Sequence, residues 1–312
     1  MREYVGPRES VDEVAFVPGD VTRLAAATNT AVYLWEVDRS EPAAVLSWDE
    51  TAWGEPLLAV SPDGRWLVAG PHERLRVWDL ADSPGKPALL PVPGLLAAEF
   101  PGRDGRLAVV YRGVTHRRLA LVAAALPVGG RTRKPQRLTP LQLPVELVSS
   151  VRSLSFRGYR QPVSLSADGR RLALPLRRGE VHVWDVETGK WFGAIPVRKT
   201  AGGLACSPDG SKVAVDAGTT VYLYEADLPG LVVVKWKANY SYVPRVAWSP
   251  DGRLLARADR STTARVYDAS AGREVASLKV KRGILTCVAF APDGLTFATG
   301  TIDGRVRVWD VG

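Results

Sequence analysis

Apolar and polar positions alternate along this chain in short runs that turn-forming residues separate. In the last such unit, the apolar run Cys287–Phe290 is followed by the turn Ala291–Gly294, a second run Thr296–Thr299, another turn Gly300–Gly304 and a third run Val306–Asp310. The runs are short and rich in β-branched and aromatic residues, which favours strands over helices. Proline, aspartate and glycine suit tight reversals of the backbone. The pattern therefore predicts antiparallel strands joined by tight turns.

The unit recurs along the chain at a nearly fixed spacing. Asp-Gly turns mark it, and their glycines are 41, 64, 41, 42 and 42 residues apart. These glycines are Gly64, Gly105, Gly169, Gly210, Gly252 and Gly294. An aromatic residue in the third run keeps step, and these aromatics are Trp35, Trp78, Trp184, Tyr224, Tyr267 and Trp309. Such a period predicts stacked or radial copies of one supersecondary unit.

The repeat resembles the WD40 repeat, because Trp-Asp or a variant of it ends the third strand of most units. The resemblance covers nearly the entire chain, and the chain looks like a bacterial-type member of this family. It implies an all-β fold, namely a single seven-bladed β-propeller of four-stranded antiparallel blades. The first strands of the seven blades are expected near Val14, Leu58, Leu96, Val163, Leu204, Val246 and Val288. Residues 1–312 are accordingly expected to form one domain.

The ring is expected to be closed by the N-terminal strand, because the chain stops just after a third strand at Val311. Tyr4 lies fourteen residues before the turn proline Pro18, which is the spacing of an outer strand in other units. The segment Arg2–Val5 is therefore predicted to complete the last blade, so that no mismatched sheet edge remains.

The long interval of 64 residues isolates a degenerate third unit, in which Arg118–Val122 stands in place of the Trp-Asp strand. Residues 124–150, approximately, are predicted to form an inserted basic loop after this unit. The segment Gly105–Val145 contains eight basic residues and no Asp or Glu, against a formal net charge of +8 for the whole chain.

The sequence departs from the WD40 pattern in its polar network. The Gly-His pair of the family is absent, since the three histidines are His72, His116 and His182. Only Asp303 matches the buried aspartate that the family places opposite that histidine. Blade rigidity is therefore expected to come from tryptophan and β-branched packing.

Catalytic chemistry has no support in the residue pattern. His182 occupies a repeat position within a strand, no Cys/His spacing suits zinc, and no glycine-rich phosphate loop opens a helix. The Asp-Gly pairs are explained by turn chemistry rather than calcium. We therefore expect no enzyme activity, no cofactor and no metal.

Cysteine usage and hydropathy indicate the compartment. Cys206 and Cys287 lie in apolar strand patterns and are expected to be buried, reduced thiols. No apolar run reaches the roughly 18 residues of a membrane span, and the first residues lack the apolar core of a secretion signal. The expected location is cytoplasmic, with no membrane association.

Surface recognition is better supported, because aromatic residues and arginines are enriched at binding hot spots. The resemblance implies that the face formed by inter-blade loops and second-to-third-strand turns binds peptides. The candidate partner-binding residues on this face are Trp53, Tyr240, Tyr242, Arg74, Arg112, Arg178, Arg198, Lys199, Lys281 and Arg282. Trp48 is also on this face, but its register match with Trp236 favours a structural role.

Three functions remain open on this evidence. The first is a monomeric, non-catalytic interaction scaffold or regulatory binding module whose partner is an acidic or extended protein segment. The second is binding of nucleic acid or another polyanion through the basic third-blade region, and its candidate residues are Arg117, Arg118, Arg131, Arg133, Lys134 and Arg137. This segment lacks the interleaved aromatics that stack on bases. The third is a sensor domain of a larger kinase- or effector-linked assembly.

Overall fold

The computed structural model describes sixteen segments of the chain. They are residues 1–6, 8–19, 23–48, 56–71, 74–81, 85–91, 95–100, 107–112, 119–124, 136–137, 162–177, 179–197, 201–228, 232–237, 245–258 and 260–311. For residues 111–112, 119–124, 136–137, 177, 232–234 and 236–237 the backbone alone is described.

Strands form seven four-stranded antiparallel sheets in these segments, and each sheet corresponds to one predicted unit. Sheet 1 contains β2 (Glu13–Val17), β3 (Arg23–Ala27), β4 (Ala31–Glu36) and β5 (Ala44–Ser47). Sheet 2 contains β6 (Leu57–Val60), β7 (Trp66–Gly70), β8 (Arg74–Asp79) and β9 (Ala88–Pro91). Sheet 3 contains β10 (Leu95–Glu99), β11 (Leu107–Arg112), β12 (Leu119–Ala124) and β13 (Gln136–Arg137).

The remaining sheets repeat this order. Sheet 4 contains β14 (Ser164–Leu165), β15 (Arg171–Arg177), β16 (Glu180–Asp185) and β17 (Trp191–Pro196). Sheet 5 contains β18 (Gly203–Cys206), β19 (Lys212–Asp216), β20 (Thr220–Glu225) and β21 (Val232–Lys237). Sheet 6 contains β22 (Arg245–Trp248), β23 (Leu254–Ala258), β24 (Thr263–Asp268) and β25 (Arg273–Lys279). Sheet 7 contains β26 (Leu285–Phe290), β27 (Thr296–Thr301), β28 (Arg305–Asp310) and β1 (Arg2–Val5).

The outer strand of sheet 7 comes from the other end of the chain. β1 pairs antiparallel with β28, with Glu3 opposite Arg307 and Tyr4 opposite Val306. The Glu3 carboxylate accepts hydrogen bonds from the Arg305 guanidinium and from Arg307 Nε, the latter at 2.7 Å. The Tyr4 hydroxyl donates to the carbonyl of Val37, which follows β4 of sheet 1, at 2.6 Å. The N-terminal strand thus joins the last sheet to the first.

Among the described residues, the apolar core lies between neighbouring sheets, in seven clusters that each draw on two sheets. One cluster contains Trp78 of sheet 2 and Val32 of sheet 1, and another contains Trp184 of sheet 4 and Val110 of sheet 3. The cluster between sheets 7 and 1 contains Tyr4 of sheet 7 and Trp35 of sheet 1. The repeat aromatics Trp35, Trp78, Trp184, Tyr224, Tyr267 and Trp309 are all buried. Their expected role in packing between units is confirmed.

The Asp-Gly turns have the geometry that their sequence predicts. In the turn of sheet 6, the Ser249 hydroxyl donates to Asp251 at 2.6 Å and accepts from the Leu254 N–H at 2.9 Å, while Asp251 accepts from the Arg253 N–H at 3.0 Å. Gly252 has a φ of 70°, which glycine adopts without a steric penalty. These contacts explain why serine, aspartate and glycine recur at fixed positions in the turn.

Sheet 3 differs from the expected course of the third unit. Gln136 and Arg137 pair with Ala123 and Val122 of β12 and form its short outer strand. Part of the expected loop 124–150 therefore belongs to a strand, because the sheet edge offers backbone groups that the chain satisfies. The rest of that segment after Ala124 lies outside the described residues.

The sequence did not predict a buried ion pair between sheets 5 and 6. Asp216 of β19 and Arg257 of β23 are fully buried and form an ion pair, and Arg257 Nη2 also donates to the Gly218 carbonyl at 3.1 Å. The prediction that Asp303 is the buried aspartate was wrong, since Asp303 is exposed and pairs with Arg305 Nε at 3.3 Å. Packing between sheets 5 and 6 therefore includes a buried charge pair as well as apolar contacts.

Candidate partner-binding surface

Two exposed isoleucines lie side by side on the loops of sheets 6 and 7. Ile284 is 43% exposed and Ile302 is 50% exposed. The Ile302 N–H donates to the Ile284 carbonyl at 2.9 Å, so the two residues are joined through the backbone. Lys281 and Arg282 are exposed on the loop that contains Ile284, and Arg260 is exposed on the adjoining turn between β23 and β24. We call these five residues the Ile284–Ile302 patch.

Backbone hydrogen bonds hold the loops of the patch together. The Val280 N–H donates to the Thr262 carbonyl at 2.7 Å, and the Leu285 N–H donates to the Ser261 carbonyl at 2.9 Å. These bonds connect the turn between β23 and β24 to the loop that leads from sheet 6 into sheet 7. Each end of that loop is therefore fixed to the neighbouring turn, and the side chains between them project from a positioned backbone.

Gly283 allows the two loops of the patch to approach closely. Its φ is 86°, and a Cβ at this position would overlap the Asp303 carboxylate. A side chain here would be strained and would also displace Asp303. The sequence Lys281–Ile284 therefore depends on glycine to bring Ile284 beside Ile302.

The charge of the patch is positive. Arg260, Lys281 and Arg282 contribute three cationic groups, and among the described residues no carboxylate forms an ion pair with Lys281 or Arg282. The nearby Asp303 is paired with Arg305. Apolar side chains flanked by cations suit a partner that presents an apolar residue next to carboxylates.

Arg260 is the one described residue other than glycine with a positive φ, at 50°. A left-handed conformation costs a residue with a Cβ about 1 kcal/mol relative to glycine. Strained residues of this kind cluster at binding sites. Its place on an exposed turn beside Ser261 therefore supports the patch as a functional surface.

Of the predicted partner-binding residues, Lys281 and Arg282, which are consecutive in the sequence, belong to the Ile284–Ile302 patch. Arg74 is exposed at the start of β8 in sheet 2, which sheet 1 separates from the patch. Of Arg112 only the backbone is described. The other predicted partner-binding residues, Trp53, Arg178, Arg198, Lys199, Tyr240 and Tyr242, lie outside the described residues.

No side chain of the residues predicted to bind a polyanion is among those that the structure describes. Arg137 has a described backbone in β13, whereas Arg117, Arg118, Arg131, Arg133 and Lys134 lie outside the described residues. They remain predictions.

Other residues singled out in the sequence have structural surroundings. Trp48 is 5% exposed, and its Nε1 donates to the Asn29 carbonyl at 2.7 Å. His182 is buried and stacks on Trp191 with ring centroids 6.0 Å apart. Burial raises the pKa of the Cys206 and Cys287 thiols to about 12, and both are free. Both cysteines are therefore thiols of low reactivity at neutral pH.

Sequence reasoning missed Ile284 and Ile302. The predicted residues were aromatic or basic, whereas these isoleucines carry the apolar surface. The available signal was an apolar residue within each turn, next to Gly283 in one case and before Asp303-Gly304 in the other. Turn positions are usually polar, so a β-branched residue there is informative.

Two further features are absent from the described segments. Within these segments, no three His, Cys, Asp or Glu side chains converge as metal ligands would. No helix in the described part of the chain is long and apolar enough to cross a bilayer.

The fold and its loops define an all-β protein of repeated four-stranded antiparallel sheets, which is consistent with a WD40 β-propeller. The family model "WD domain, G-beta repeat" matches residues 231–268 and 272–310, and the Ile284–Ile302 patch draws on both of these repeats. This match supports the WD40 family.

Curated relatives are similar over part of the chain. Serine-threonine kinase receptor-associated protein of Gallus gallus is 26% identical over 129 residues, covering 41% of this chain and 36% of its own. Telomerase Cajal body protein 1 of Mus musculus is 26% identical over 166 residues, covering 49% and 31%. WD repeat-containing protein AAC3 of Dictyostelium discoideum is 28% identical over 137 residues, covering 42% and 28%. The chain thus spans about a third of the length of these relatives, all of which are eukaryotic.

Proposed function

We propose that this protein is a non-catalytic interaction scaffold and that the Ile284–Ile302 patch binds a segment of a partner protein. The partner segment carries an aliphatic or aromatic residue flanked by aspartate or glutamate. The observation that carries this proposal is the pair of exposed isoleucines, with Lys281 and Arg282 on the Ile284 loop and Arg260 on the adjoining turn. The names of the relatives, which describe a receptor-associated protein and a Cajal body protein, support a role in protein association.

The proposal includes the architecture that presents the patch. The seven sheets are the blades of one closed ring over residues 1–312, and β1 closes it. Support comes from the seven core clusters, because each joins one sheet to the next and the last joins sheet 7 to sheet 1. A rigid ring presents loops on a fixed scaffold, which lowers the entropy lost when a partner binds.

Monomeric function in the cytoplasm is part of the same proposal. Two buried free thiols suit a reducing compartment.

Arg74, Arg112 and the predicted loop residues of other sheets would extend the binding face beyond the patch. A larger sensor assembly of bacterial type would use the same face for its partner.

The test is a selection of random peptides on the immobilised full chain, followed by affinity measurements on synthetic peptides. The variant Ile284→Ser/Ile302→Ser removes the apolar pair, and Lys281→Glu/Arg282→Glu reverses the adjacent charge. We expect each variant to weaken binding about tenfold or more, which corresponds to about 1.4 kcal/mol.

Matched control variants are available on the opposite face. Leu295→Ser removes an apolar side chain that is 67% exposed beside an Asp-Gly turn, and Arg253→Glu reverses an exposed charge in sheet 6. These controls should leave the affinity unchanged. Equal losses in the controls and the patch variants would contradict the proposal, as would selected peptides without acidic residues.

A further inference from the structure

The Glu3 carboxylate of β1 joins two arginines of β28. Arg307 lies directly opposite Glu3 in the antiparallel pair, and its Nε donates to Glu3 Oε2 at 2.7 Å. The Arg305 guanidinium donates to the other carboxylate oxygen, Oε1. The Arg307 side chain is 3% exposed, so solvent screens its attraction to Glu3 only weakly. Glu3 therefore supplies the counter-ion of a buried guanidinium.

Arg307 extends from Glu3 to the loop that carries Ile284. Its Nη2 donates to the Arg282 carbonyl at 3.4 Å, on the loop between β25 and β26. One guanidinium thus contacts the N-terminal strand and the backbone of the patch. Because the guanidinium is planar and its donors point in fixed directions, its orientation toward Glu3 also sets its orientation toward Arg282.

Arg305 extends from Glu3 to the loop that carries Ile302. Its Nε contacts Asp303 Oδ2 at 3.3 Å. Asp303 in turn lies against Gly283, where a Cβ would overlap its carboxylate. The side chains of Arg305 and Asp303 are both 37% exposed, and ion pairs in contact with water contribute little. The buried connection through Arg307 is therefore the stronger of the two.

Both connections from Glu3 end on loops that one hydrogen bond joins. The Ile302 N–H donates to the Ile284 carbonyl at 2.9 Å. β1 is the outer strand of sheet 7, and β28 is its neighbour in that sheet. An outer strand of four residues opens more readily than the strands inside a sheet. The docking of β1 and the arrangement of the patch therefore depend on the same contacts.

We propose that Glu3 is a positioning residue and that the docking of β1 controls the Ile284–Ile302 patch. With β1 docked, Glu3 holds Arg307 and Arg305 in the orientations that align the two loops. A partner segment that binds the aligned patch also stabilises the docked strand, because coupling between two sites is reciprocal. The link to partner binding rests on the function proposed above, whereas the effect on the two loops does not.

Hydrogen exchange of the free, full chain tests the effect on the loops. The reporter is the Ile302 amide, because it donates to the Ile284 carbonyl. Glu3→Gln removes the charge, and Arg307→Lys keeps the charge but lacks the second donor arm toward Arg282. Each variant should speed exchange at the Ile302 amide about fivefold, since the loops open more often. An unchanged rate in both variants would overturn the proposal.

Glu225→Gln is the matched control, because it breaks a carboxylate ion pair in sheet 5. Glu225 is 33% exposed, against 32% for Glu3, and it pairs with Lys212 at 3.9 Å. This variant should leave exchange at the Ile302 amide unchanged, and an acceleration equal to that in Glu3→Gln would also overturn the proposal. Circular dichroism shows whether each variant folds. If Glu3→Gln does not fold, Arg307→Lys decides the outcome.

The affinity for a peptide selected on the wild-type chain tests the link to binding. Glu3→Gln should weaken binding about fivefold, which corresponds to about 1 kcal/mol. Because both changes break the same connection, Glu3→Gln/Arg307→Lys should bind about as well as the weaker single variant. Fully additive losses would contradict a shared connection.

Reciprocal coupling gives a further measurement that a purely structural role would not change. Peptide binding should slow exchange at the β28 amides that pair with β1 in the wild type, and it should do so less in Glu3→Gln. If Ile284→Ser/Ile302→Ser leaves the affinity unchanged, the proposed function fails and the Ile302 amide still decides this inference. If that variant weakens binding and Glu3→Gln does not, the coupling alone is refuted.

Discussion

Tyr4 offers the sharpest test of how the two ends of the chain are joined. Its side chain is fully buried against Trp35, with ring centroids 6.1 Å apart, and its hydroxyl donates to the Val37 carbonyl at 2.6 Å. Tyr4→Ala removes a buried aromatic ring and should cost about 3–5 kcal/mol. Tyr4→Phe removes only the hydrogen bond and should cost about 1 kcal/mol. Val5→Ala, on the same strand but 63% exposed, should cost less than about 0.5 kcal/mol.

Urea unfolding followed by circular dichroism gives these free energies. At roughly 2.1 cal/mol/K of unfolding entropy per residue, 1 kcal/mol corresponds to about 1.5 °C in the Tm of a chain this long. Tyr4→Ala should also speed hydrogen exchange at the β28 amides that pair with β1, because local opening of the outer strand exposes them. If Tyr4→Ala proves as harmless as Val5→Ala, β1 does not join sheet 7 to sheet 1 in solution.

Three further perturbations test the packing between sheets and the turns. Gly64→Ala should cost at least about 2 kcal/mol, because φ is 68° and the new methyl would overlap the Pro18 carbonyl. Gly252→Ala has a similar φ, but its methyl would meet Pro208 at an ordinary van der Waals distance, so it should cost about 1 kcal/mol. Equal losses in urea unfolding would refute the clash at Gly64. Asp216→Asn removes the negative charge that pairs with the buried Arg257 guanidinium and should cost about 3 kcal/mol in the same assay. A loss below about 1 kcal/mol would contradict a buried ion pair. The Ser249 hydroxyl and the Arg253 N–H hold the pKa of Asp251 below its ordinary value, so the stability this carboxylate contributes is present above the unfolded pKa of about 3.9 and is lost as pH falls through the folded pKa. The difference in stability between the wild type and Asp251→Asn should therefore shrink in acid titrations below about pH 4, and a difference that grows there would show the opposite linkage.

Repeated local patterns made most of the fold predictable. The position of each strand follows from the alternation of apolar residues and from turn chemistry within about ten residues. The turn Ala291–Gly294 illustrates the turn chemistry, and the buried Trp309 illustrates the alternation. The pairing of β1 with β28 was also predicted, because a spacing of fourteen residues marks an outer strand. These features depend on near neighbours along the chain or on the repeat itself.

Contacts between units were less predictable, because they join residues in different repeats. Asp216 and Arg257 are 41 positions apart, and neither stands at a repeat position that carries a charge elsewhere. A charged residue within an apolar strand was the available signal, but it did not identify the partner. Ile284 and Ile302 were missed for a related reason, since their proximity arises only when two loops from sheets 6 and 7 meet.

The site of partner contact can be located directly by crosslinking. A photo-crosslinking amino acid is placed at residue 302 in one variant and at residue 295 in another. Both positions are exposed, and they lie at opposite ends of β27. Each variant is irradiated with a peptide selected on the wild-type chain. We predict crosslinking at position 302 that an excess of unlabelled peptide abolishes, and none at position 295. Crosslinking at 295 alone would place the partner on the opposite face and contradict the claim.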